Sequence, residues 1–164
     1  MLTAYALSKL ANFDDPGPHT HGMVRHVLVP VDASEAAQRA LVFALEEYAD
    51  DDITVLHVTN PVEDASLGDE DALFTGTETL EWEGTDAEDI FADARQIANE
   101  RGATVEAEVT FGSPASAIVE YAEDRGVDHI VIGSHGRSGV ARLLLGSVAE
   151  NVARRAPVPI TIVK

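Results

Sequence analysis

The sequence predicts an α/β fold with a parallel sheet and helices on both of its faces. Three observations carry that prediction. Aliphatic and β-branched runs alternate along the chain with segments whose apolar residues recur at helical spacing. The first run, Arg25–Val31, is close to continuously apolar after its first two residues, as a strand covered on both faces must be. A glycine-punctuated loop, Gly133 to Gly146, follows the fourth run and leads into a new helical pattern. With 164 residues, 45% of them apolar, the chain is long enough for one domain with a sizeable core.

The elements follow in order. Residues 1–22 hold the breaker cluster Asp14-Asp15-Pro16-Gly17-Pro18 and then His19 and His21, and are expected to be a poorly ordered extension. Residues 23–164 are expected to form the single domain. The first strand spans 25–31, with Pro30 near its end, where no ladder N–H is missed. Ser34 is a good N-cap for a helix with the apolar stripe Ala37, Leu41, Ala44, Leu45 and Tyr48. The second strand is Ile53–Thr59. Residues 60–85 are rich in acids and hold no Lys or Arg, too long a stretch for a plain connection, and read as an acidic excursion pinned by Leu73, Phe74, Leu80 and Trp82. From Asp86 a helix begins, with Gly102 as its C′ residue. Thr104–Phe111 alternates loosely, as a strand at or near a sheet edge does. Ser113-Pro114 starts the next helix and Gly126 closes it. The fourth strand is Asp128–Ile132, the last helix runs from Ser147 to Arg155, and residues 157–163 form the fifth strand.

Charge and composition narrow the function. Asp and Glu total 29 against 11 Lys and Arg, a formal net charge of −18, and only Lys9 and Lys164 are lysine. Such a surface repels nucleic acid and anionic membrane. No apolar run reaches the roughly 20 residues of a membrane span. The chain has no cysteine, which removes disulfide and thiolate chemistry and fits a reducing cytoplasm. A carboxylate-rich, lysine-poor surface over an ordinary core suits a salt-rich cytoplasm, so the fold is expected to loosen in low salt.

In open α/β sheets, ligands bind beyond the carboxyl ends of strands, where strand order reverses. Two features meet that condition: Asp32, just after the first strand, and the loop after the fourth. Gly133 and Gly136 allow close backbone approach. Gly146-Ser147 opens a helix whose N-terminus attracts anions. The Ser147 hydroxyl and the amides of Ser147 and Val148 are candidate phosphate donors, with Arg137 adding charge.

The spacing Gly133-x2-Gly136-x9-Gly146-Ser147 resembles the nucleotide-binding signature of universal stress proteins. Val29-Pro30-Val31-Asp32-Ala33-Ser34-Glu35 resembles that family's first strand and turn, and the similarity covers Val24 to Lys164 apart from the acidic excursion. The resemblance implies a Rossmann-like, adenine nucleotide hydrolase-like three-layer sandwich with a five-stranded sheet of order 3-2-1-4-5. It implies a homodimer paired through the terminal strand, 158–163. It also implies ATP, AMP or ADP between strands one and four, with magnesium held through the phosphates. By position, Asp32 would contact ribose or base, and Pro30, Val31 and Val58 would wall the adenine. Gly133, Gly136, Gly146, Ser147 and Val148 would hold ribose and phosphates, with Ile132, His135 and Arg137 beside them. No catalytic residue and no protein-built metal site is expected, and the function implied is stress response with slow ATP hydrolysis at most.

These residues also have plain structural readings. Asp32 serves as a turn or capping residue, Ser147 with Glu150 as a capping box, His135 as a loop hydrogen-bonder, and Gly133 and Gly136 as packing glycines. His57 reads as a satisfied core histidine. Two rival functions stay open: a dimeric scaffold of the same family that binds no nucleotide, and an adenylating or electron-transfer enzyme. No Gly-Lys-Ser/Thr phosphate loop is present.

Overall fold

Five strands and four helices alternate in a computed structural model that describes residues 25–60, 85–135 and 145–164. They are β1 (His26–Pro30), α1 (Glu35–Glu47), β2 (Asp52–Thr59), α2 (Thr85–Asn99), β3 (Glu106–Phe111), α3 (Pro114–Asp124), β4 (His129–Gly133), α4 (Ser147–Arg155) and β5 (Ile160–Val163). The strands form one parallel sheet of order β3-β2-β1-β4-β5. This is the predicted class and the predicted order.

The sheet is covered on both faces. Val27, Val29, Val55 and Val131 point into a core shared with Leu41 and Ala44 of α1 and with Ile90 and Ala94 of α2. Leu28, Leu56 and Ile130 point the other way, onto Ile118 of α3 and Val152 of α4. Each large aliphatic side chain buried this way contributes on the order of 1.5–3 kcal/mol. The helices approach closely because small residues face the sheet: Ala36, Ala37, Ala40 and Ala44 in α1 are all buried.

Several boundaries differ from the sequence reading. β1 and β4 each begin one residue later than expected, at His26 and His129, and β5 begins only at Ile160. Strand ends are set by where a neighbour offers pairing, which apolar content does not report. Ser34 caps α1 as predicted, accepting from the Ala37 amide. Gly102 and Gly126 both adopt positive φ after their helices, +69° and +63°. The capping box at Ser147 is corrected. The N-cap of α4 is Gly146, and Ser147 is the first helical residue.

Pro30 has the strongest consequence for function. Main-chain bonds join Arg25 and Val31 to β2 and His26 to the residue ahead of β4. That alternation turns the Pro30 backbone toward β4. With no N–H to donate, Pro30 cannot extend that ladder. The β1–β4 pairing accordingly ends at Leu28↔Ile130, while β1–β2 pairing runs on to Pro30↔Leu56. The tips of β1 and β4 are thus freed from each other at the point where strand order reverses.

Candidate functional site

Three backbone segments meet at this end of the sheet. The first is the turn from β1 into α1. Asp32 Oδ1 accepts from the Ser34 amide at 2.9 Å and from the Ser34 hydroxyl. The Ser34 oxygen also accepts from the Ala37 amide at 3.2 Å and lies 3.4 Å from the His135 carbonyl oxygen. Asp32 is therefore part of a turn that caps α1, and Ser34 stands between the two strand tips.

The second segment is the tip of β4. Gly133 lies against the start of α1: a Cβ there would meet the Ala36 carbonyl carbon at 2.6 Å and the Ala37 nitrogen at 2.8 Å. Ser134 is buried, and its amide donates to Val163 at 2.7 Å. The Ser134 hydroxyl pairs with Nδ1 of His135 at 2.9 Å. The other ring nitrogen of His135, Nε2, is buried and has no hydrogen-bond partner among the described residues. A buried polar atom left unpaired costs on the order of 1–3 kcal/mol.

The third segment is the start of α4. The Gly146 amide donates to the Ser134 carbonyl at 2.7 Å, and a Cβ on Gly146 would come within 2.9 Å of that same oxygen. This contact pins Gly146 as the N-cap. Among the described residues no side chain caps the helix, and its first intrahelical bond is Glu150 N to Gly146 O. Helix geometry leaves the amides of Ser147, Val148 and Ala149 without intrahelical acceptors. Ser147 is exposed and Val148 half-buried. Glu150 turns down the helix to pair with Arg154 at 2.6 Å, which takes its charge away from the helix start. The assembly presents donors, not carboxylates, at the α4 end and suits an anion there.

The remaining expected residues are distributed as follows. Ile132 is buried in the α3/α4 core. Val31 belongs to the α1/α2 core and Val58 packs against the other. A shallow cleft beside Asp32 is lined by Val31, Gln38, Leu41, Ile90 and Asp93. Gly136 and Arg137 lie outside the described residues. His57 is buried with Nδ1 bonded to the Val31 carbonyl at 3.0 Å, a satisfied core histidine as read. Among the described residues no group of three or more His, Cys, Asp or Glu side chains converges to hold a metal. No described helix is long and apolar enough to cross a membrane. The sequence reading missed Ser134, whose hydroxyl positions the His135 ring; its place between Gly133 and His135 was the available signal.

The sequence profile of the universal stress protein family matches residues 23–164. The chain belongs to the universal stress protein family. A relative, universal stress protein MJ0531 of Methanocaldococcus jannaschii, is 34% identical over 146 residues, 87% of this chain and 83% of that one. Among solved structures, MJ0577, a universal stress protein of the same organism, superposes with a TM-score of 0.67 at 31% identity, covering 87% of this chain and 97% of the other. A universal stress protein solved in complex with cAMP superposes with a TM-score of 0.64 at 29% identity, covering 87% of this chain and 99% of that one.

Proposed function

We propose that this stress protein binds an adenine nucleotide across the tips of β1 and β4 and acts through the bound state and not through turnover. The observation that carries the reading is the gap at the switch point. Pro30 ends β1–β4 pairing there, and the start of α4 supplies backbone donors with no intrahelical use. The relative with bound cAMP supports the ligand class.

In this reading the amides of Ser147 and Val148, the Ser147 hydroxyl and His135 serve the phosphates, with Gly136 and Arg137 of the same loop. Asp32 serves ribose or base, and Pro30, Val31 and Val58 flank the base. Magnesium is held through the phosphate oxygens, since no described carboxylate group gathers to take it. Two chains pair through residues 158–163 at the open edge of β5, and the protein works in the cytoplasm.

One observation favours a second reading, a scaffold that binds no nucleotide. Gly133 and Gly146 are each required by protein packing alone. Mass spectrometry of small molecules released on denaturing the purified protein, with calorimetric titration of ATP, AMP and cAMP, separates the two. Ser147→Asp sharpens the test. A carboxylate at the first helical position interacts favourably with the helix dipole by about 0.3–1 kcal/mol and repels phosphate. The melting temperature should hold or rise while nucleotide affinity falls by about tenfold or more. A protein that neither carries nor takes up any of the three nucleotides is the scaffold.

A further inference from the structure

The opposite end of the sheet carries a cluster that nucleotide binding does not use. His129 opens β4. Its Nε2 lies 3.2 Å from the Tyr48 hydroxyl and 2.9 Å from the Thr161 hydroxyl. The Tyr48 and His129 rings pack at 5.2 Å between centroids. Tyr48 is the C-cap residue of α1, and Thr161 sits in β5. One imidazole nitrogen thus joins the end of a helix to an edge strand.

That edge strand is held along its length by β4 and by the packing of Ile160, Ile162 and Val163 against the two cores, and at Thr161 by the His129 ring. β5 is four residues long and, among the described residues, pairs with β4 alone. Its flanking main-chain bonds run from Ile130 N to Pro159 O and from Ser134 N to Val163 O. Arg39 Nε also donates to the Lys164 carbonyl at 3.1 Å, just after the strand.

We propose that His129 is a proton-operated latch that fastens β5 to α1 when neutral and releases it when charged. The groups around the ring explain the direction. From α1 and β5 it meets only hydroxyls, which are neutral. Ahead of β1 stands Arg25, a cation. The neighbouring carboxylates are engaged elsewhere: Asp128 Oδ2 accepts from the His26 amide and Asp51 Oδ1 from the Arg25 amide. The His26 ring is bonded to Thr54, away from this cluster. An imidazolium here would lose part of its hydration and pair with no carboxylate among the described residues. Burial first, and the charge of Arg25 second, hold His129 below the ordinary imidazole range.

The sign follows. The folded state disfavours the proton, so the latch is intact above the unfolded value of about 6.5 and is lost as pH falls below it. The inference does not rest on nucleotide binding.

Amide exchange on the full chain tests it. The Ile130 and Ser134 amides report attachment of β5, and the Val31 amide, bonded to Leu56, reports the β1–β2 ladder. Between about pH 7.5 and about pH 5.5, after correction for intrinsic exchange, protection of the first pair relative to Val31 should fall by about three- to tenfold. His129→Gln keeps a polar side chain that gains no proton, and should abolish the pH dependence. Thr161→Val removes one anchor and should lower the same ratio already at neutral pH. A wild-type ratio that stays flat, an equal acid loss in the Gln variant, or a Thr161→Val ratio equal to wild type at neutral pH overturns the latch.

Discussion

At the scale of single residues, Gly133 and Pro30 do the most to form the candidate site, and both act by what they lack. Pro30 lacks an N–H and so ends one ladder. Gly133 lacks a Cβ and so lets α1 start directly against the tip of β4. The two backbones are closer than any side chain allows. Gly133→Ala must push Ala36 away or bend β4, and neither can give cheaply because Ala36, Ala37 and Gly133 are all buried. Overpacking of this kind costs about 1–3 kcal/mol. Urea unfolding of Gly133→Ala should show a lower midpoint at unchanged slope. A midpoint equal to wild type would mean that the start of α1 is free to shift.

At the scale of elements, α1 is held at its start by Ser34 and at its end by Tyr48. Ser34→Ala removes the side-chain acceptor for the Ala37 amide and a partner of Asp32. It should cost about 1 kcal/mol, the usual worth of an N-cap serine, and the Ala37 amide should exchange faster while amides in α3 do not. This element also shows how far the sequence can be read. Ser34 was legible because capping is local: the cap, its acceptor and the apolar stripe lie within a few residues. Pro114 and the C′ glycines were legible for the same reason. The start of α4 was not. Ser147-x-x-Glu150 fits a capping box, but Gly146 is fixed as the cap by a bond to Ser134, twelve positions back in the chain. The His129 cluster was invisible because Tyr48, His129 and Thr161 are 81 and 32 residues apart. In the candidate site, the placing of Asp32 just after β1 and of Gly146-Ser147 at the start of α4 was legible, whereas the assignment of Val31 and Val58 to opposite cores was not, because residue type does not say which face of a sheet a tip residue joins. Gly136, Arg137, the stretch 60–85 apart from its two end residues, and the extension 1–22 lie outside the described residues.

At the scale of the whole molecule, the charge decides the behaviour. The net charge is −18. Among the described residues Arg39, Arg125 and Arg154 pair with Glu35, Glu108 and Glu150. These pairs are largely exposed, and such pairs contribute about 0–1 kcal/mol each. They cannot offset the mutual repulsion of an excess of carboxylates confined to one small surface. Unfolding moves those charges apart, so repulsion destabilises the compact state, and salt relieves it. The Debye length falls from about 30 Å at 0.01 M to about 3 Å at 1 M. The melting temperature should therefore climb from dilute buffer to molar KCl, steeply at first and then level as screening becomes complete. Sucrose, which stabilises by exclusion and screens no charge, separates the two causes: it should raise the melting temperature without the early steep rise. A melting temperature that is the same in dilute buffer and molar KCl would mean that the acidic surface is already neutralised within the fold, by contacts beyond the three pairs described. Under the proposed function the same repulsion would oppose an incoming nucleotide, so the donors at the α4 start would act at close range, by hydrogen bonding to the ligand, and not by steering it from a distance.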